Sequence, residues 1–577
     1  MSDDLRANPY VGLRPFFKED SLYFFGREEQ TAAVLDILRK ERFVGVVGSS
    51  GTGKSSLVYA GVLPSLLGGF LVQDRDRWRI ATIKPGDNPL GNLAAGLLQA
   101  MGDDASEKAA NTLRQQIVDS HLEAVVQYLA ARLEANTNLF LLVDQFEEIF
   151  AFRGSQEDEG LKNFDSKKRK ERARRKGEAA DFVDLILALS ARRELPVYVV
   201  LTMRTDFMGD CDVFYSLPEA LNRGRYLVPR MSREQLRDAV ECPPRLLGVD
   251  VGTRLVDHVL NQLGDRFDRL PVLQHALLRT WDEWERNGGL GPLDLSHFEA
   301  AGGLEGALNR DAESALWFDM DLVERVFRRL TGTDGGQRRI RTPARISEII
   351  TATGANRDSI EQIILHFSEN DRNFVRKFVD GKLEDPRVDI SHESVIRQWE
   401  RLSGWMDSET QARDEYRELV KRARRWERNP RFLLRDPELE IFLAWKNEAG
   451  ISAGWAGRYS SRDDDFELAI KFLEKSVVQR DLDSKAKRLQ VELPLQKRYA
   501  LAAFVIFLFA ALTVRELHHQ KALAELDYKL TEKEKLIDEK NKLVEQQNQF
   551  IAIQKSQDEQ FCASRMEQKD GTSARKP

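Results

Sequence analysis

The chain has 577 residues, of which 42% are hydrophobic, so its length leaves room for three or four domains with sizeable cores. A formal net charge of −6 excludes no class of partner, whereas the three cysteines, Cys211, Cys242 and Cys562, are too far apart in sequence to form a metal-binding pair. Met1–Tyr10 contains no recognisable signal peptide, so we expect a reducing, cytoplasmic setting for the main body.

The first predicted strand, Phe43–Gly48, leads into GSSGTGKS, which fits the phosphate-loop pattern G-x-x-x-x-G-K-S/T. In such a loop the glycines let backbone N–H groups point at phosphate oxygens, and the positive end of the next helix adds to the attraction. The lysine contacts the β- and γ-phosphates, and the serine hydroxyl binds Mg²⁺. The predicted nucleotide-binding residues here are Gly48, Ser49, Ser50, Gly51, Thr52, Gly53, Lys54, Ser55 and Ser56, with Ser55 also a metal ligand.

Three more apolar strands are predicted to alternate with helices. The strands are Trp78–Lys84, Asn138–Asp144 and Pro196–Arg204, and the helices include Leu90–Met101, Leu122–Leu133 and Ala179–Ser190. This alternation indicates an α/β fold with a parallel P-loop NTPase sheet. Ligands of such sheets bind at the carboxyl ends of the strands, where Gly48, Asp144 and Arg204 all lie.

Acidic residues end the third strand. Asp144 can hold a Mg²⁺-bound water beside the phosphate loop, which is the Walker B role, so we predict it as a catalytic residue and a metal ligand. Glu147 or Glu148 could orient an attacking water. Acids are equally favoured at a helix N-terminus, so both explanations stay open.

Arg204 ends the fourth strand and could contact the γ-phosphate of a bound nucleotide, and it is therefore a predicted catalytic residue. The alternative is a surface ion pair with Asp206. A guanine-selecting N/T-K-x-D motif after a strand is absent, so we expect ATP and ADP, with Mg²⁺, as the cofactors. The basic run Asn163–Glu178 could bind nucleic acid or an anionic membrane, but we favour a solvated loop or a charged helix.

Helices replace strands from about Arg233. From Phe318 to Trp405 the pattern changes again and predicts a winged helix, with the helices Leu322–Leu330, Ile346–Ala352 and Arg357–Ser368 followed by a hairpin of Asn373–Val379 and Arg387–Ser391 around Asp380–Pro386. Gln411–Asp483 is helical again.

The motifs together resemble the bacterial novel STAND NTPases, which are AAA+-related signal-transduction switches. The resemblance covers about Asn8–Val477 and is carried by NPYVGLRPFFKEDSLYFFGRE at its start, the GSSGTGKSS loop, LFLLVDQFEEIF and VLTMRTDF. It implies that Arg27, within the Phe-Gly-Arg-Glu motif, lies near the adenine pocket. It also implies that Pro271, within the Leu-Pro stretch Arg269–Gln274, belongs to a nucleotide-contacting lid.

The winged helix of this family carries a His-Glu pair followed by a tryptophan, matched by His392, Glu393 and Trp399. In related STAND proteins a histidine there contacts the ADP β-phosphate and locks the closed state, so the resemblance implies that role for His392. The alternative is a structural histidine at the hairpin-to-helix junction. Gln145 stands where many AAA+ enzymes have a catalytic glutamate, so any hydrolysis is expected to be slow, and whether the chain acts as an enzyme stays open.

Many STAND proteins carry an effector domain before the NTPase and repeats after it, whereas this sequence starts almost at the first motif and shows no recognisable repeat. We therefore expect that a separately encoded protein could act as effector or sensor. Tyr499–Val514 is uncharged and almost wholly apolar. It is shorter than the roughly twenty residues a spanning helix prefers, but flanking basic residues can extend the span, so we favour a membrane helix over a buried one. Beyond it Leu523, Leu530, Ile537, Val544 and Ile551 recur every seven residues, as in a weak coiled coil or a single charged helix.

The predicted layout is an N-terminal segment (1–30), a P-loop NTPase core (31–232), a helical lid (233–310), a winged helix (311–410), a helical domain (411–490), a transmembrane helix (497–516), a coiled coil (517–560) and a disordered tail (561–577). The leading hypothesis is an ATP/ADP-controlled switch in signalling or defence that oligomerises on activation. It would be anchored in the lipid of the cytoplasmic membrane by a single pass, with the NTPase inside.

Two other hypotheses are a DNA-binding AAA+ ATPase and a membrane scaffold with a degenerate NTPase. The acidic residues of Arg357–Asp371 make nucleic acid an unfavourable partner. The intact Lys54, Ser55 and Asp144 speak against a degenerate site.

Overall fold

The computed structural model describes residues 8–70, 75–153, 166–264, 270–316, 319–333, 339–369, 372–378, 385–448, 452–460, 462, 464–492 and 495–567. Parts of several predictions lie outside these residues, namely the start of the N-terminal segment, residues 163–165 of the basic run, Arg269, Asp371, most of the hairpin turn and residues 568–577 of the tail. The chain divides into two compact units, Met1–Ser476 and Val477–Pro577. The finer domain boundaries remain predictions.

A parallel five-stranded sheet of order β2-β3-β4-β1-β5 forms the centre of the first unit. Its strands are β1 Phe43–Gly48, β2 Arg77–Ile83, β3 Thr137–Val143, β4 Val197–Arg204 and β5 Arg225–Leu227. Every residue of β1, β3 and β4 is buried, which explains their continuous apolar sequences. The predicted α/β class is therefore confirmed, and each of the four predicted strands agrees within one residue at either end. The short, partly exposed β5 carries no apolar run and was not predicted.

Helices surround this sheet. They are α1 Glu28–Glu41, α2 Lys54–Ser56, α3 Leu63–Leu67, α4 Pro89–Met101, α5 Glu107–Ser120, α6 Leu122–Ala130, α7 Glu148–Arg153, α8 Ser166–Ala191 and α9 Leu217–Arg223, with a π-helical segment, Leu57–Val62, between α2 and α3 and 3-10 turns at Lys18–Tyr23, Thr205–Phe207 and Gly209–Val213. Helix α8 contains the described part of the basic run, where Arg174 pairs with Glu171 and Glu178. These pairs fit the charged-helix interpretation.

The next region is helical, as predicted, with α10 Arg233–Leu246, α11 Thr253–Leu263, α12 Leu270–Arg286, α13 Leu295–Ala301 and α14 Gly303–Ser314. Its helix ends follow ordinary capping chemistry, because Ser232 and Gln235 form a capping box at the start of α10. Its apolar core includes the fully buried Trp281, whose ring lies 4.8 Å from that of Trp284. We call residues 233–310 the lid.

Residues 311–410, which we call the docking domain, combine helices with small antiparallel sheets. The helices are α15 Met320–Arg329, α16 Ile346–Thr353, α17 Arg357–Ser368 and α18 Glu393–Gln398, and the strands are β6 Thr331–Thr333, β7 Arg339–Arg341, β8 Ala344–Arg345, β9 Val375–Phe378 and β10 Arg387–Ile390. The order in the larger sheet is β8-β10-β9, and β6 pairs with β7. The predicted helices and hairpin strands are present, whereas β6, β7 and β8 are too short to give a sequence pattern. The winged-helix assignment itself stays a prediction.

Further helices follow the docking domain, namely α19 Glu400–Arg428, α20 Glu438–Glu448, α21 Ala453–Gly457 and α22 Asp465–Glu492. In the second unit, helix α23 runs from Leu495 to Glu567. Within the described residues one helix is long and apolar enough to cross a membrane by length and composition, with a window of mean hydropathy 2.0 in Tyr499–Phe550 that is 0% buried. The heptad side chains Leu523, Leu530 and Ile537 are all more than half exposed.

The N-terminal segment connects the three parts of the first unit. The Tyr10 hydroxyl donates to the Val240 carbonyl oxygen at 2.7 Å, and its ring belongs to the apolar core of the lid. Leu13 belongs to the core of the docking domain. Phe16 packs against Ala60 beside the phosphate loop. The segment therefore holds core, lid and docking domain around the edge of the sheet where a ligand is expected.

Candidate functional site

Strand β1 brings the phosphate loop, residues 48–55, to the carboxyl edge of the sheet. Gly51 and Gly53 have φ angles of 79° and 84°, a left-handed conformation that glycine adopts without steric cost. The Lys54 ammonium donates to the Ser49 carbonyl oxygen at 2.8 Å. Burial lowers the pKa of Lys54, with Glu147 and Asp144 opposing that shift. The loop thus holds a desolvated cation at its centre, as an anion-binding site requires.

Asp144 lies directly after β3 and is only 3% exposed. Its Oδ1 accepts hydrogen bonds from the Ser55 hydroxyl at 2.8 Å and from the Thr202 hydroxyl at 2.7 Å. A hydroxyl and a carboxylate side by side are suitable oxygen ligands for Mg²⁺, with phosphate and water completing the shell. No cluster of three or more His, Cys, Asp or Glu side chains that could hold a metal ion occurs in the described part of the chain.

The two glutamates after Asp144 have different surroundings. Glu147 lines the cavity above the loop, and its Oε2 is buried with no hydrogen-bond partner among the described residues. Glu148 instead accepts a hydrogen bond from the Gly86 backbone N–H at 3.0 Å. Burial raises the pKa of both carboxyls. Of the two glutamates, only Glu147 therefore has an unpaired acceptor at the cavity. Gln145, which also lines the cavity, adopts a φ of 57° that is unusual outside glycine.

Arg204 ends β4 directly beside the loop, because β1 and β4 pair with Gly48 opposite Arg204. Its guanidinium makes a bidentate pair with Asp206, at 3.1 and 2.6 Å, and a further ion pair with Glu393 of the docking domain. Burial alone would lower the pKa of Arg204, but the Asp206 hydrogen bond and the Glu393 charge outweigh it and raise the pKa above its ordinary value. The pair with Asp206 is thus present, but the Arg204 side chain is only 10% exposed, so it is not a surface pair. The contact with Glu393 between domains was not revealed by the sequence.

His392 lies at the hairpin-to-helix junction of the docking domain and lines the same cavity. Its Nδ1 accepts the Ser394 backbone N–H at 3.1 Å and thereby caps α18, so the proton of the neutral ring is assigned to Nε2. Burial, followed by the charge of Arg341, lowers the pKa of His392 to about 3. The ring is therefore a neutral hydrogen-bond donor at neutral pH. His392 thus caps α18, as the structural alternative expects, and also lines the cavity, as a role in ligand binding requires.

The other predicted residues divide into cavity-lining and supporting groups. Arg27 is 4% exposed and donates to the Thr52 and Pro229 carbonyl oxygens at 3.1 and 2.9 Å, so it also fixes the loop. The predicted residues around the cavity are Arg27, Ser50, Gly51, Thr52, Gly53, Lys54, Ser55, Ser56, Asp144, Glu147, Arg204, Pro271 and His392. Gly48, Ser49 and Glu148 are not among its lining residues.

The cavity also contains three arginines that sequence reasoning missed, namely Arg14 of the N-terminal segment and two from the docking domain. Arg341 of β7 bonds Asp389 at 2.5 Å, and Arg376 of β9 lies 5.6 Å from the Phe17 ring centroid. Burial lowers the pKa of Arg376. Arg341 and Arg376 lie on the short, partly buried strands β7 and β9, where nothing in the local sequence indicates that an arginine reaches a distant cavity. The docking domain therefore also brings basic side chains to the cavity.

The parallel sheet, the glycine-rich loop at its carboxyl edge and the paired Ser55 and Asp144 define a P-loop NTPase. The family model "Novel STAND NTPase 1" matches residues 9–432, and the chain belongs to that family. The resemblance inferred from the sequence is thereby confirmed. No curated protein matches the chain significantly.

Solved structures show a more distant similarity. The ORC1 protein of Aeropyrum pernix in complex with DNA is 16% identical, with a TM-score of 0.33, and the match covers 66% of this chain and 93% of that one. The ORC2 protein of the same organism, with ADPNP and ADP, is 13% identical, with a TM-score of 0.37 and coverages of 66% and 94%. A Walker-type ATPase of Pyrococcus abyssi is 15% identical, with a TM-score of 0.30 and coverages of 68% and 99%. TM-scores this low carry no argument about this chain.

Proposed function

We propose that this protein is an ATP/ADP-controlled molecular switch and that the described conformation is its closed, diphosphate-binding state. The observation that carries the proposal is the composition of one cavity. It is lined by Lys54 of the core, Pro271 of the lid and His392 of the docking domain. A nucleotide bound there would contact all three parts, and its phosphate state could therefore bias their arrangement.

The phosphate loop and Lys54 would bind the β-phosphate, and Ser55 with Asp144 would hold Mg²⁺, which supplies a counter-charge for the phosphates. His392 would donate its Nε2–H to the same phosphate from the docking domain. Arg27 and Pro271 would lie towards the base. The neutral state of His392 means that it contributes a directed hydrogen bond, while the ionic attraction comes from Lys54.

Hydrolysis would be slow and would serve to reset the switch. Glu147 is the better candidate to orient water, because its free Oε2 lies at the cavity while Glu148 is engaged by Gly86. Gln145 follows Asp144 at the place where many related enzymes have a glutamate. We also propose that the protein acts in signalling or defence by oligomerising on activation. Its effector or sensor would be a separately encoded protein.

Membrane anchoring would concentrate the switch at the cytoplasmic surface. Basic residues crowd the flank before Tyr499–Val514, namely Lys485, Lys487, Arg488, Lys497 and Arg498, which fits a cytoplasmic position for the NTPase. Beyond the segment, the exposed heptad leucines of α23 could pair protomers as a coiled coil.

Sedimentation of the full-length chain in detergent tests the switch. With Mg²⁺ and ADP the chain should remain in its smallest species, and with the slowly hydrolysed ATPγS it should form a larger one. Lys54→Ala should behave identically with either nucleotide. Equal sedimentation and equal limited-proteolysis patterns of the wild type with ADP and with ATPγS would refute a nucleotide-controlled switch.

A further inference from the structure

A carboxylate of the docking domain lies against the phosphate loop. Glu393 forms an ion pair with Arg204, and the two side chains are only 13% and 10% exposed. Burial alone would raise the pKa of this carboxyl, but the charge of Arg204, then that of Arg341, and last a side-chain interaction with Ser50 of the loop lower it. Glu393 thus pairs with one core group at the end of a strand and lies close to another on the loop.

These two core groups mark the place where a terminal phosphate would lie. Arg204 lies beside the start of the loop, because it is paired in the sheet with Gly48, and Ser50 belongs to the loop itself; both line the cavity. Glu147, the candidate for orienting water, is close enough to affect the pKa of Arg204. Carboxylate and phosphate oxygens are both natural partners of a guanidinium. A γ-phosphate and Glu393 would therefore need the same donors.

Two anions that need the same donors would repel each other at this position, and Arg341, which is close enough to help lower the pKa of Glu393 but also pairs with Asp389, would offset only part of that repulsion. A nucleoside diphosphate ends one phosphate earlier and leaves the position to Glu393. We infer that Glu393 occupies the γ-phosphate position in the closed state and makes that state selective for a nucleoside diphosphate. This inference rests on the proposed function. Glu393 would then determine specificity, because its negative charge opposes the binding of ATP. His392, by contrast, would favour the binding of either nucleotide.

The arrangement offers a matched control. Arg345 of the docking domain bonds Asp87 of the core at 3.1 and 3.0 Å, which is also an ion pair between these two parts. Neither residue lines the cavity. Asp87→Asn would therefore loosen docking by removing one charge, as Glu393→Gln does, without removing a competitor of the γ-phosphate.

The experiment measures the dissociation constants of ADP and ATPγS for the full-length chain in detergent, each with Mg²⁺. We expect Glu393→Gln to lower the ratio Kd(ATPγS)/Kd(ADP) by about tenfold or more, because removal of the competing charge helps only the triphosphate. In Asp87→Asn the ratio should change less than about twofold, whatever happens to the individual constants. Thermal unfolding of each variant checks that it is folded.

A second variant tests the route of the effect. In an Arg204→Gln background, adding Glu393→Gln should lower the ratio less than it does in the wild-type background, because competition for the guanidinium is gone and only the repulsion between the two anions is relieved. An equal shift of both dissociation constants in Glu393→Gln, or the same ratio change in Asp87→Asn, would overturn the inference and leave Glu393 as a docking contact only. Failure of the wild type to bind either nucleotide would instead overturn the proposed function itself.

Discussion

Replacing Lys54 by alanine should remove most of the affinity for ATP while leaving the fold intact. The ammonium is desolvated at the centre of the loop, and its described hydrogen bond is to the Ser49 carbonyl oxygen at 2.8 Å. Two unit charges 4 Å apart attract by about 4 kcal/mol at an effective dielectric constant of 20. The nucleotide-free protein already bears part of the free-energy cost of desolvating the Lys54 ammonium, as the lowered pKa of this group indicates. We therefore expect a net loss of about 3 kcal/mol, or roughly 150-fold in the dissociation constant.

The same geometry predicts that stability without nucleotide changes little. Lys54→Ala removes a buried charge that the Ser49 carbonyl and the nearby Glu147 and Asp144 carboxylates only partly compensate, so the unfolding temperature should change little. Added Mg²⁺ and ATP should stabilise the wild type but not the variant, because ligand binding to the folded state raises its apparent stability. These two readouts separate a binding defect from a folding defect.

Isothermal titration calorimetry of the full-length chain in detergent gives the dissociation constants. Lys40→Ala is the matched control, because Lys40 is also a lysine but is exposed and pairs with Asp36 at 2.6 Å away from the cavity. The control should bind ATP as the wild type does. ATP binding by Lys54→Ala within about threefold of the wild type would refute the assignment of the loop.

Three other outcomes are expected. Glu147→Gln should lower the hydrolysis rate at unchanged ATP affinity, whereas Glu148→Gln should change the rate little, as measured by phosphate release. Burial lowers the pKa of His392 to about 3 from 6.5, so between these values the unfolded chain binds a proton that the folded chain does not, and stability present above pH 6.5 is lost as the pH falls towards 3. Denaturant unfolding at pH 7.5 and at pH 5 should therefore show a smaller loss of stability for His392→Gln than for the wild type. An equal loss of stability in both proteins would refute this cause. Fractionation should find the full chain in the membrane and a chain ending at residue 496 in the soluble fraction, and a soluble full chain would refute the anchor.

The sequence predicted those parts of the fold whose signals are local. Strands β1, β3 and β4 are buried on both faces and therefore read as apolar runs, and helix α17, Arg357–Ser368, was predicted to the residue. The phosphate loop is a contiguous motif. By contrast, the short strands such as β5 and β8 owe their conformation to pairing with distant segments, as β8 does with β10. Their residues carry no pattern that could indicate it.

For the site, the sequence predicted the core residues but not the contacts between domains. The His-Glu pair was recognised through a family resemblance, yet nothing local indicated that Glu393 binds Arg204, which is 189 positions earlier. Arg341 and Arg376 reach the cavity only because the docking domain folds over it. Likewise, Glu147 and Glu148 have the same local sequence, and only the position of the Gly86 N–H distinguishes them.

The energetics of closure follow from the way the apolar residues are distributed. Core, lid and docking domain pack largely in separate hydrophobic clusters, although Leu308 of the lid belongs to the cluster of the docking domain. Separation of the docking domain from the core therefore need not expose these clusters to water. The contacts that close the docking domain onto the core are charged instead, as in the Arg204–Glu393 pair and in Lys84, whose Nζ lies 4.3 Å from the Phe378 ring centroid. Such contacts contribute about 0.5–3 kcal/mol each.

A ligand must bind one of two states more tightly by roughly 5.5 kcal/mol to shift the population almost completely to that state, and a few contacts of this size together supply a similar free energy. The exchange of one phosphate could therefore decide between closed and open forms, because it would remove the Glu393 contact and add repulsion at the same point. Tyr10 and Leu13 would keep lid and docking domain tethered, since each is buried in the core of its own partner. Opening would then be a rearrangement around the N-terminal segment, with the two regions still attached and their cavity-facing surfaces available for assembly.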